Sequence, residues 1–210
     1  MIFSELEIER LHKEIEGRLS QRRFLHTLGV ERAAVKIGEK CLGGDLTELR
    51  CAALLHDVTK EYGNDRQISL MRKYGGFCDD DYMSCAVYHS FTAPIVIERE
   101  FESFNTKAIR SAVLNHTLGD PDMSVFDEII FISDYVEEGR SYPSSIDVRN
   151  KLYDSLECAN DMEECRFRLH EATVNALDAT LLHLLNNHAF IHPRAIKTRN
   201  AFLARLPMAL

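Results

Sequence analysis

Nine histidines are spread through this 210-residue chain, and several share apolar helical faces with aspartates. His56 follows Ala52 by four positions and Ala53 by three, and Asp57 follows Ala53 by four. Residues at those intervals lie on one helix face, so both polar groups turn inward. His116 stands in the same relation to Ala112 and Val113, His89 to Cys85 and Ala86, and Asp134 to Ile130 and Phe131. His26 sits between Phe24-Leu25 and Leu28. An ionised carboxylate buried without a partner is costly, so Asp57 and Asp134 need cations or donors beside them. Imidazole nitrogens and carboxylate oxygens together suit zinc, iron, manganese or similar divalent ions. Any one of these residues alone is more often a core group bonded to a nearby carbonyl. Six of them in one small domain point to a helical metal site, although their spacings are too long for a compact motif such as His-Glu-x-x-His.

The elements that must position these groups are helices. Ten glycines and five prolines punctuate the chain, and long stretches repeat apolar residues at three- and four-residue spacing. An amphipathic opening helix is expected over 5–19, with Leu6, Leu11, Ile15 and Leu19 on one side. A second runs from Phe24 or His26 to about Cys41, stopped by Gly43-Gly44, and a third is capped by Asp45 or Thr47 and carries His56. Further helices are expected to about Tyr74, at 83–103 (bent or divided at Pro94), 106–116, 124–137, 146–158 and 161–188, with a short one opened by His192-Pro193. No segment keeps the alternation of a strand, and no linker or repeat divides the chain. The expected architecture is all-α: one helical bundle of eight to ten helices spanning 1–210.

With 45% hydrophobic and 28% charged residues, the composition is that of a globular protein. A formal net charge of −8 argues against a sequence-independent grip on nucleic acid. It leaves room for a small phosphorylated ligand, because a bound cation supplies local positive charge. No apolar run approaches the roughly 20 residues of a membrane span. Residues Met1 to Glu7 carry acids rather than the start of a secretory signal, so the cytoplasm is the expected compartment. The six cysteines form no Cys-x-x-Cys pair and are read as reduced core residues.

The order His26, His56-Asp57, Asp134 resembles the HD superfamily of metal-dependent phosphohydrolases. The segments Arg23-Phe24-Leu25-His26-Thr27-Leu28-Gly29-Val30 and His56-Asp57-Val58-Thr59-Lys60 look like that family's opening and HD-x-x-K segments. Asn115-His116-Thr117, the stretch from Ser124 to Arg140, and Ile191-His192-Pro193-Arg194 through Asn200 also fit. Together they place the chain near the bacterial YqeK family, which resembles symmetrical diadenosine tetraphosphate hydrolases. The likeness runs from about residue 20 to 205. It implies two metal ions, iron in the first place with manganese, cobalt or zinc as alternatives, held by His26, His56, Asp57, His89, His116 and Asp134. Two departures stand out. His89 is followed by Ser90-Phe91-Thr92-Ala93-Pro94 where the family reads like His-x-Pro-Val-Gly-Ala, and Asp120 stands where the family tends to have arginine.

The resemblance implies hydrolysis of diadenosine tetraphosphate to two ADP by a metal-bridged hydroxide. Asp57 is the natural bridge, since a carboxylate has two oxygens and an imidazole offers one nitrogen. Lys60, three residues after Asp57, is cast as a phosphate contact or a stabiliser of the leaving oxygen, and Arg140 as a phosphate clamp. His192 and Arg194 are expected to close over a nucleotide. A nucleotide is the expected small-molecule partner, and a homodimer the one protein partner considered. Asp120 keeps two alternatives open: a phosphohydrolase of the same fold acting on other nucleotides, and a metal-containing nucleotide sensor with reduced turnover.

Overall fold

The computed structural model describes residues 2–207, so the ends of the expected 1–210 domain lie outside the described residues. Those residues form ten α-helices and no strand: α1 (Glu5–Arg18), α2 (Gln21–Cys41), α3 (Thr47–Leu55), α4 (Asn64–Tyr74), α5 (Tyr88–Glu100), α6 (Lys107–Asn115), α7 (Val125–Val136), α8 (Pro143–Cys158), α9 (Met162–Asn186) and α10 (Pro193–Leu203). Their starts follow from side-chain caps. Ser4, Ser20, Thr106, Ser124 and Asp161 each accept a backbone N–H from the first turn, and Ser4 and Ser124 form reciprocal capping boxes with Glu7 and Asp127.

α2 packs against α3 and α7, α3 and α7 each meet α6, and α6 meets α5. α7 supplies the most apolar wall, burying Ile129, Ile130, Phe131, Ile132 and Val136. α1 closes on α3 through Ile8, Leu11 and Ile15, and Leu19 is buried beside them. Leu6, expected on that inward side, is 56% exposed, because the helical phase brings Ile8 inward instead.

Three other differences from expectation have local causes. Residues 79–82 and 85–87 form two 3₁₀ turns, the first carrying three consecutive aspartates, which favour turns over a helix interior, and α5 starts at Tyr88 rather than at 83. α5 runs through Pro94 undivided; its buried Phe91, Ala93, Val96 and Ile97 face holds the helix across the lost backbone bond. α8 starts at Pro143, inside the expected turn, since proline at the first helical position loses no N–H bond. Of the six free cysteines, Cys41, Cys51 and Cys165 are buried, but Cys78, Cys85 and Cys158 are exposed rather than part of the core.

Candidate metal centre

Five elements converge to place six side chains. His26 comes from α2, His89 from α5 and Asp134 from α7, whereas His56 and His116 are the C-cap residues of α3 and α6. The two caps use one device. Nδ1 of His56 bonds the Ala53 carbonyl at 2.6 Å, and Nδ1 of His116 bonds the Val113 carbonyl at 2.6 Å. A carbonyl only accepts, so Nδ1 carries the proton and Nε2 turns its lone pair to the interior. Asp57 follows at the start of the turn that succeeds α3, with Lys60 N–H bonding its carbonyl at 2.9 Å.

Two groups of possible ligands lie back to back, each with its donor atoms within 4.8 Å of one another: His26, His56 and Asp134, and Asp57, His89 and His116. Asp57 joins them. Its Oδ2 is 3.5 Å from His56 Nε2 and 3.8 Å from His26 Nε2. Its Oδ1 is 3.4 Å from His89 Nε2 and 3.7 Å from His116 Nε2. Across the first group, Asp134 Oδ1 lies 3.0 Å from His26 Nε2 and 4.0 Å from His56 Nε2.

The residues present fit divalent cations. His26 Nε2 faces the carboxylate oxygens of Asp134 and Asp57, and His56 Nε2 is buried with no hydrogen bond, so both nitrogens stand where a cation would sit among carboxylate oxygens. Burial alone would lower the His26 pKa, but Asp134 and Glu137 push it up to about 9: the protein demands a positive charge there. Burial works to raise the Asp57 carboxyl, yet the imidazoles of His56 and His116 hold it well below the usual range. His89 is driven the other way, by burial first and by the Lys60 ammonium second, and is therefore a neutral ligand-type imidazole. Hydrogen bonds to carboxylate or carbonyl from the outer ring nitrogen are what ligating histidines ordinarily have.

The surrounding shell contains groups that the sequence did not single out. Arg23 Nη1 donates to Asp57 Oδ2 at 2.8 Å, and Glu137 Oε1 lies 3.0 Å from His26 Nδ1. Thr117 Oγ1 is 3.1 Å from His89 Nε2. Arg23 stands three residues before His26, and Glu137 three after Asp134, so the i, i+3 relation is the signal that marks both.

Of the expected substrate contacts, Lys60 is at the centre. Its Nζ lies 3.2 and 3.1 Å from the two ring nitrogens of His89, and burial lowers its pKa against the pull of Asp57 and Asp134. Arg140 grips Asp134, with Nη2 on Oδ1 at 2.5 Å and Nε on the carbonyl at 3.0 Å. The other two each have a partner within the protein. His192 Nε2 lies 3.0 Å from Asp81 Oδ1, and Arg194 donates to Asn115 Oδ1 and lies 3.2 Å from Asp120.

Residues 23–139 match the HD domain family. The chain is 26% identical to the symmetrical bis(5'-nucleosyl)-tetraphosphatase of Halalkalibacterium halodurans, over 90% of this chain and 93% of that one. It is 28% identical to the protein of the same name from Staphylococcus aureus, over 70% and 75%. The crystal structure of a predicted HD superfamily hydrolase involved in NAD metabolism from Clostridium acetobutylicum superposes with a TM-score of 0.82 at 24% identity, covering 94% of this chain and 97% of that one. The matched segment contains all six inward-facing histidines and aspartates, from His26 to Asp134, and on that match the chain belongs to the HD domain family.

Proposed function

We propose that the protein is a metal-dependent phosphohydrolase that cleaves dinucleoside polyphosphates symmetrically, diadenosine tetraphosphate giving two ADP. The observation that carries this reading is Asp57, with one oxygen facing His26 and His56 and the other facing His89 and His116. The names of the Halalkalibacterium and Staphylococcus relatives support the substrate class.

His26, His56 and Asp134 would hold one divalent ion and His89 and His116 a second, with Asp57 shared. Bound there, two such ions would acidify water at neutral pH and offset charge on phosphate oxygens. The chain's own groups do the rest. Arg23 and Arg140 fix the orientation of Asp57 and Asp134, so the carboxylates cost no reorganisation when substrate arrives. Arg140 Nη1 is left for a phosphate oxygen, and Lys60 places an ammonium where the leaving oxygen gains charge. One water is consumed: its oxygen joins a central phosphorus as the bond from that phosphorus to the bridging oxygen breaks. Iron is the proposed metal, the His/Asp donor set being equally suited to manganese, cobalt or zinc.

The Asp120–Arg194 ion pair favours a second reading, hydrolysis of nucleotides with fewer phosphates, because it occupies a guanidinium that a longer polyphosphate would otherwise meet. We also propose a cytoplasmic protein; no helix among the described residues is long and apolar enough to cross a membrane. A homodimer is open to light scattering, and the apolar face of α1 does not supply its surface, being buried on α3.

Elemental analysis followed by chromatography of a diadenosine tetraphosphate digest tests the reading. About two metal ions per chain, as the shared Asp57 implies, with ADP as the sole product would support it. Metal with turnover only of other nucleotides would favour the second reading, and no metal under any loading condition would sink both.

A further inference from the structure

The protein is acidic overall, yet one cavity gathers cations. It has a volume of about 680 Å³ and lies between α2 and the turn joining α7 to α8. Arg22, Arg23, Arg32 and Arg140 line it with Glu137 as the sole lining acid. Arg23 and Arg140 are committed to Asp57 and Asp134. Arg22 and Arg32 are exposed, and neither has an ion pair or side-chain hydrogen bond among the described residues. Arg22, Leu25, Gly29 and Arg32 follow one helical face of α2, which puts the Cα atoms of the two uncommitted arginines about 15 Å apart along the helix axis, within reach of one another's long side chains. A ligand that meets both is polyanionic.

The cavity opens directly onto the metal centre, since His26 and Arg140 belong to its wall. It also has an aromatic wall, Tyr142, which is 62% exposed, with Leu25, 58% exposed, as another apolar surface. A second cavity of about 390 Å³ shares Arg140 and Tyr142 with the first and has Asp134 in its wall. Both volumes lie in the range that small ligands fill.

We infer that this arginine cavity is the site of one nucleotide end of the dinucleoside polyphosphate, with Arg22 and Arg32 on its phosphates and Tyr142 as the face on which its base stacks. The other end lies in the smaller cavity beyond the Arg140–Tyr142 partition. The inference rests on the proposed activity for the identity of the ligand, and on charge and shape alone for the site.

The test is isothermal titration of a methylene-bridged, non-hydrolysable diadenosine tetraphosphate analogue, and separately of ADP, into the purified protein, R22Q/R32Q and Y142A. Both arginines are at the surface, so circular dichroism of the double variant should match the wild type. Removing two charge-assisted bonds at an exposed site should weaken analogue binding roughly tenfold in R22Q/R32Q. Loss of one stacking surface should weaken it several-fold in Y142A. Wild-type affinity in R22Q/R32Q overturns the assignment. If the wild-type protein forms no ADP from diadenosine tetraphosphate, the proposed activity fails, and the ADP titration decides the cavity alone: a loss of ADP affinity in R22Q/R32Q supports the site, and equal affinity overturns it. Wild-type protein that binds neither nucleotide overturns both.

Discussion

Arg194 Nη2 lies 3.2 Å from Asp120 Oδ2, tying the first turn of α10 to the segment that follows α6. The same guanidinium donates to Asn115 Oδ1, one residue before His116. Arg194 is therefore held close to the metal centre in the chain while its charge is spent on an acid. Gly119 makes the approach possible: its φ is +67°, and a Cβ there would lie 2.6 Å from Thr198 Cγ2 on α10.

Asp120→Asn should release Arg194 without removing its hydrogen bond to Asn115. The pair is partly exposed, so the gain is modest: about 1 kcal/mol, or roughly a fivefold lower KM for diadenosine tetraphosphate with kcat nearly constant. Steady-state kinetics of the variant measure it. An unchanged KM would take Arg194 out of substrate binding.

Asp57→Asn should abolish metal retention by both groups at once, and hydrolysis should fall by at least about a thousandfold, because the amide offers one carbonyl oxygen where the carboxylate serves two sides. Helical content should be unchanged, as Asp57 follows α3 and caps nothing. Metal analysis with circular dichroism checks both halves, and normal metal content would remove Asp57 from the bridge.

How far the site could be read ahead follows from where each residue lies. His56, Asp57, His116 and Asp134 announce themselves by three- and four-residue relations to apolar neighbours, because a local period fixes which way a side chain faces; His89 is buried although Cys85 and Ala86, the neighbours it is read against, are exposed and lie in a 3₁₀ turn before α5. The sharing of Asp57 between two histidine pairs comes from the packing of α2, α3, α5 and α6 and has no local signature. Glu137 is 111 residues from His26, and only the crossing of α2 and α7 makes them partners. The Asp120–Arg194 pair likewise joins segments that sequence spacing cannot relate. Helix ends depart from expectation where a 3₁₀ turn delays α5 to Tyr88, and where proline starts a helix, as at Pro143.

The α1–α2–α3 junction predicts a pH effect. Glu31 is buried, with Arg50 Nε donating to it at 2.8 Å and His12 Nε2 at 3.0 Å. Burial opposes ionisation, but His12 and Arg50 prevail and hold the Glu31 pKa below its usual 4.5. A carboxylate with a depressed folded pKa stabilises fully above the unfolded value and loses that contribution as the pH falls through the folded one. Glu31→Gln should therefore cost about 1–2 kcal/mol at pH 7, and the difference from wild type should shrink below about pH 4.5. Urea melts at pH 7 and at successive acid steps would show it; a gap that stays constant with pH would mean that Glu31 acts by packing rather than by charge.

Gly29 supplies the sharpest separation of fold from site. A Cβ at this position of α2 would lie 2.3 Å from Glu137 Oε2, the far end of a flexible side chain, so the carboxylate must swing aside. Alanine is favoured over glycine in a helix by about 1 kcal/mol, and the fold should not suffer. What Gly29→Ala should lose is the Glu137 contact that orients His26 through Nδ1. Loss of such an outer partner typically weakens metal binding by about 10–100-fold. Glu137→Gln should reproduce that loss with no change at position 29. Competitive chelator titrations measure the metal affinity and thermal melts the stability. A Gly29→Ala variant that melts at or above the wild-type temperature yet gives up metal to a weaker chelator is the expected result. Wild-type metal affinity in both variants would show that His26 is held by α2 alone, and that the 3.0 Å approach of Glu137 to its ring does not govern the centre.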